Sequence, residues 1–82
     1  MKAYVHVYLK RAVLDPQGKA IAHALHELGY KDVKAARQGK MIELDIADGL
    51  NKEQAEESIR KMCEDLLANT VIEDYSITLE AA

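Results

Sequence analysis

The chain has 82 residues, 49% of them hydrophobic and 30% charged, which gives enough apolar material for one domain core and excludes disorder by composition. A formal charge of −3, with Lys and Arg spread along the chain, offers no concentrated basic surface for nucleic acid or anionic lipid. With four Tyr and no Phe or Trp the expected core is aliphatic, and the single Cys63 excludes an internal disulfide; no leader-like segment or long apolar run is seen, so the expected location is the cytoplasm.

From Ala3 to Leu9 the residues alternate, with Val5, Val7 and Leu9 on one side and Tyr4, His6 and Tyr8 on the other, which predicts a half-buried strand. Asp15-Pro16 then supplies an N-cap oxygen followed by a residue suited to the first helical position. Ile21, Ala24, Leu25 and Leu28 form the expected inner stripe of this helix, and Gly29 its stop. Val33–Gln38 reads as a second strand, joined through Gly39-Lys40 to a third at Met41–Ile46, where Ile42, Leu44 and Ile46 alternate with Met41, Glu43 and Asp45. Asn51 with Gln54 fits a capping box, followed by a helix whose inner stripe is Ala55, Ile59, Met62, Cys63 and Leu66. A last strand over Val71–Leu79 presents Tyr75, Ile77 and Leu79 to one face.

The order βαββαβ predicts an α+β fold of ferredoxin-like type: a mainly antiparallel four-stranded sheet with two helices on one face. Residues 1–82 form one domain with two related βαβ halves, about 2–38 and 40–79, because Val5, Val7, Leu9 are echoed by Ile42, Leu44, Ile46, and Ile21, Leu28, Val33 by Ile59, Leu66, Val71. On the bare face of such a sheet Tyr4, His6, Tyr8 and Met41 form the candidate contact surface of a two-fold dimer, since a domain this thin gains from a second layer.

No catalytic constellation emerges. Cys63 falls on an inner helical stripe, where a thiolate would be desolvated. His23 and His26 are three apart but lack a visible third metal ligand. The Asp15-Pro16-Gln17-Gly18 segment lacks phosphate-loop spacing, and Asp15 itself fills the helix cap.

Val13-Leu14-Asp15-Pro16-Gln17-Gly18-Lys19-Ala20, followed by Ala24-Leu25, Leu28-Gly29 and Arg37-Gln38-Gly39-Lys40, resembles the pattern of the PurS family, as does Leu67-Ala68-Asn69 through Val71-Ile72-Glu73-Asp74-Tyr75. The similarity spans essentially the whole chain, with Thr70 standing where that pattern has proline. It implies a non-catalytic small subunit of multi-chain formylglycinamidine ribonucleotide (FGAM) synthase in purine biosynthesis. The expected partners are a second copy, a PurL-type synthetase and a PurQ-type glutaminase; the complex uses ATP and Mg, with no cofactor bound by this chain. The motif residues carried over are Asp15, Pro16, Gln17, Gly18, Arg37, Gly39 and Lys40, with no catalytic or metal role.

Three other readings share the element order. An ACT-like regulatory domain would bind a small molecule as a dimer. An RNA-binding module of the RRM type needs stacking aromatics on its third strand, where Met41, Glu43 and Asp45 stand instead. An acylphosphatase-like enzyme needs a glycine-rich phosphate loop after the first strand, near Lys10 and Arg11, and none is present.

Overall fold

The computed structural model describes residues 1–80. In chain order the elements are β1 (Lys2–Leu9), α1 (Pro16–Glu27), β2 (Gly39–Asp45), α2 (Lys52–Met62), a π-helical turn (Cys63–Leu67) and β3 (Glu73–Glu80). The sheet has three strands in the order β2-β1-β3, both pairings antiparallel, with Val5 opposite Ile42 on one side and Ile77 on the other. This register puts Ala3, Val5 and Val7 on the face that also carries Ile42, Leu44, Tyr75, Ile77 and Leu79. Ile59 and Cys63 seal that face, and both are fully buried.

The fourth strand expected at Val33–Gln38 is absent from the described residues: the segment is irregular and leads into β2. Only Val33 among those six residues is a β-branched apolar residue, so the segment has no alternating face to bury against a neighbour. Of the two expected halves, 40–79 therefore contains a complete βαβ unit, whereas 2–38 lacks its closing strand.

The expectation of two helices on one sheet face also changes. α2 packs over β3 and the centre of the sheet, whereas α1 makes no substantial contact with sheet or α2 and lies along the 33–38 return segment. Of its expected inner stripe, Ile21, Ala24 and Leu28 are exposed and Leu25 is half-buried. Together α1 and its flanking segments form an arm, which explains why the molecule measures 50 × 28 × 14 Å. Its radius of gyration is 16.1 Å, against about 12 Å for a compact chain of this length.

The capping signals hold in detail. Asn51 accepts from the Gln54 backbone N–H at 2.8 Å while the Gln54 side chain accepts from Asn51 N–H at 3.1 Å. At the end of α1, Tyr30 N–H reaches Leu25 O and Gly29 N–H reaches His26 O, with Gly29 at φ 103°, a conformation costly for any residue with a Cβ.

After Met62 the helix of α2 widens, so that Ala68 N–H bonds Cys63 O, five residues back. The extra residue changes the phase of the stripe. Leu66, expected inside, is 83% exposed, and Leu67 packs against the core in its place; Met62 is also exposed. Asn69 then turns the chain, accepting from Val71 N–H through its side chain and from Ile72 and Glu73 N–H through its carbonyl.

Truncating Ile59 to Ala should cost about 2–5 kcal/mol, because it opens a cavity in a core of few residues, and Ile59→Asp should abolish folding. Leu25→Asp, on the arm, should leave the far-ultraviolet circular dichroism of the sheet intact. Thermal melts of the three variants check both statements.

Candidate functional site

The residues of the Asp15–Gly18 and Arg37–Lys40 segments are distant in sequence and meet at one place, the point where the arm leaves the sheet. Asp15 begins this junction. Its Oδ1 accepts from Gly18 N–H at 2.9 Å as the N-cap of α1, and its Oδ2 accepts from Gln38 N–H at 2.7 Å, just before β2 begins. One buried carboxylate thus fixes both the start of α1 and the end of the return segment.

Gly18 is required by proximity. A Cβ there would lie 2.3 Å from Ala36 O and 2.9 Å from Arg37 Cα, so the return segment crosses α1 at a distance that only glycine permits. Pro16 sits in the first turn, where its missing N–H costs no helical bond.

Arg37 is the second clamp. Its guanidinium donates to Leu9 O at 3.3 Å, Lys10 O at 3.0 Å and Val13 O at 3.2 Å, filling acceptors in the loop between β1 and α1. Its positive charge also lies close enough to Asp15 to help hold that carboxyl in its ionised form.

The Asp15 carboxyl lies below the usual carboxylate range, chiefly through the Gln38 backbone bond, then the Gly18 bond, with burial opposing them. Gly39 opens β2 opposite Tyr8, Lys40 follows opposite Val7, and Gln17 with Gln38 and Lys40 borders an open cleft of about 260 Å³ beside Asp15.

The first-strand residues anticipated as a contact surface are together on the open sheet face. Tyr4 stands opposite Glu43 and Thr78, His6 opposite Met41 and Ser76, and Tyr8 opposite Gly39 and Asp74. Tyr8 and Met41 are the exposed large hydrophobic residues of this row. Around them are Lys2, which pairs with Glu43 and lies near Asp45, and the carboxylates of Asp74 and Glu80. The acidic β2 residues Glu43 and Asp45 therefore stand opposite Tyr4 and Lys2 on this face, which is unfavourable for a phosphate backbone.

The two helical histidines separate in role. His23 is exposed and lies 3.6 Å from Glu27, whereas the His26 ring bonds Val33 O and ties the end of α1 to the return segment. Among the described residues, no three His, Cys, Asp or Glu side chains gather as a metal site would require. Cys63 is sealed in the core, and burial, with Glu64 adding to it, pushes its thiol upward from the ordinary value. No described helix is long and apolar enough to cross a membrane.

Sequence reading identified the motif residues but missed the bond from Asp15 to Gln38, which spans 23 residues, and the contact of His26 with Val33. Backbone partners leave no side-chain pattern to find. The paired position of Asp-Pro-x-Gly and Arg-Gln-Gly at the two ends of a helix-containing loop was the available signal.

The family model described as phosphoribosylformylglycinamidine (FGAM) synthase, PurS, matches residues 2–81. The chain belongs to the PurS family. The Bacillus subtilis FGAM synthase subunit PurS is 48% identical over 79 residues, covering 96% of this chain and 92% of that protein. The crystal structure of Methanocaldococcus jannaschii PurS superposes with a TM-score of 0.89 at 42% identity, covering 99% of this chain and 96% of that one. A PurS-like chain in the structure of PurLQS from Thermotoga maritima matches with a TM-score of 0.84 at 39% identity, over 94% and 93% of the two chains. A match of this extent favours the PurS reading over the ACT-like, RRM and acylphosphatase readings, which share only the element order.

Acid should weaken the Asp15 junction in a defined direction. Because its folded value is depressed, the stabilisation is complete above the unfolded value, near 3.8, and is lost as pH falls through the lower folded value. Asp15→Asn should be less stable than the parent at neutral pH and should lose less on acidification. Gly18→Ala should be destabilised at every pH, because its clash with Ala36 O does not titrate. Melting temperatures of the three proteins between neutral and acidic pH test this pattern.

Proposed function

We propose that this chain is the small, non-catalytic subunit of multi-chain FGAM synthase, acting in the cytoplasm to hold a PurL-type synthetase and a PurQ-type glutaminase together and to support ammonia transfer between them. The observation that carries this reading is a family match over residues 2–81. The chemistry of its motif residues is architectural. Asp15, Gly18 and Arg37 spend their polar groups and their space on the chain's own backbone. In this reading ATP and Mg belong to the synthetase chain, and the glutaminase nucleophile to the glutaminase chain, since Cys63 is buried and its thiolate disfavoured.

The subunit acts in this proposal as a homodimer. Its solvent-accessible surface is 6135 Å², against about 4,900 Å² for a compact monomer of 9.2 kDa. The surplus exceeds the roughly 800 Å² per partner buried in a standard stable interface. A single copy is therefore under-packed for its length.

Reconstitution tests the assignment. Glutamine-dependent FGAM synthesis by the PurL-type and PurQ-type chains should require this protein, and the three should co-elute in the presence of glutamine and Mg-ADP. Full glutamine-dependent activity from the two larger chains alone would refute the bridging role, as would glutaminase activity of the isolated subunit that disappears in Cys63→Ala.

A further inference from the structure

The open sheet face collects the chain's excess of negative charge. By register it carries Lys2 among the carboxylates of Glu43, Asp45, Asp74 and Glu80, a net charge of −3. The chain as a whole has 11 Lys and Arg and 14 Asp and Glu, so its remaining residues carry ten of each. Lys2 and its partner Glu43 lie at one end of the face. At the other, Asp74 stands opposite Tyr8, exposed and in no ion pair among the described residues. On its other side Tyr8 stands opposite Gly39, so β2 contributes no side chain directly across from the ring. A Cβ on Gly39 would lie 2.7 Å from Val7 O, so the close approach of the strands itself keeps that position bare. A hollow of about 410 Å³ results, bordered by His6, Tyr8, Met41 and Ser76, with Tyr8 43% and Met41 59% exposed.

We infer that one of the two larger chains docks on this face through an arginine-bearing segment: a guanidinium enters the hollow, stacks on Tyr8 and pairs with Asp74, while further basic side chains meet the carboxylates at the Lys2 end. This rests on the bridging reading above and assigns it a surface. The charge selects a basic occupant, and two copies of the face would bring −3 against −3. The span selects a protein surface: from Lys2 to Tyr8 the strand runs roughly 20 Å, beyond the reach of a small cation. Arginine suits the hollow better than lysine, because its planar group stacks on an aromatic ring and forks to a carboxylate at a lower cost of dehydration. Met41 supplies an apolar wall for its stem. Tyr and Met at the centre with charged groups toward the ends is also the usual arrangement of a protein interface.

Titration of the full-length subunit into the two larger chains, read as glutamine-dependent FGAM synthesis, tests the assignment. Asp74→Arg should raise the half-saturating concentration by about 100-fold, because a pairing carboxylate becomes a like charge. Asp74→Asn and Tyr8→Leu should each raise it by about 10-fold, whereas Tyr8→Phe, which keeps the ring, should titrate close to the parent. Asp65→Arg makes the same charge change on the helical side and should also titrate as the parent does. Added salt should weaken the parent more than Asp74→Asn. If the parent is required but Asp74→Arg and Tyr8→Leu saturate where it does, the bridging role stands and this docking face is overturned. Equal losses in Asp65→Arg and Asp74→Arg overturn it too, leaving only an effect of net charge. A change in sedimentation of the isolated Asp74→Arg subunit gives the face to a contact between copies instead. Full activity without the parent removes the bridging role and the docking face together.

Discussion

The Asp15 carboxylate, shared between Gly18 N–H and Gln38 N–H, is the interaction on which the form of this chain depends. An ordinary N-cap satisfies one end of one helix. Here the second oxygen also accepts from the segment that returns from that helix, so the start of α1 and the approach to β2 are fixed with respect to each other. Arg37 adds the loop carbonyls of Leu9, Lys10 and Val13 to the same junction. Each charged group is therefore committed to backbone partners, which leaves little of it free for chemistry.

From this junction follows the separation of arm and body. Because the return segment passes close over Gly18, α1 finds its packing partner in its own sequel and not in the sheet. The sheet keeps three strands, α2 alone seals its core face, and β2 is left with half-covered apolar residues. Fully buried positions are correspondingly few and concentrated around Val5, Val7, Ile59 and Cys63. A small domain usually gains stability by closing on itself; one that holds an element outward has a structural reason to associate.

The same features bear on a subunit whose proposed work is to join larger chains. An extended molecule of 50 Å presents more surface than a globule of equal mass, and its two sheet faces differ in character. One is apolar and incompletely covered; the other is a mixed row of Tyr, His and Met among ion-paired and acidic groups. Distinct faces on one thin scaffold allow self-association and attachment to other chains without competition for the same residues.

Local signals determined the elements. Strand alternation in Ala3–Leu9 and Met41–Ile46, the Asn51–Gln54 capping box, the Asp15-Pro16 helix start and the Gly29 stop were all legible because each is a relation between residues a few positions apart. The motif residues of the junction were legible too, as a pattern, and the Ala55–Ile59–Cys63 stripe located the core. What the tertiary structure alone decided was the use of those parts. Whether α1 folds onto the sheet depends on bonds from Asp15 to a backbone amide 23 residues away and from Arg37 to three carbonyls, groups that every sequence contains at every position. Whether Leu66 or Leu67 faces inward depends on a single widened helical turn, for which Cys63–Leu67 carries no local marker. Periodicity predicts which side of an element is apolar; it does not contain the long-range backbone geometry that decides what, if anything, that side meets.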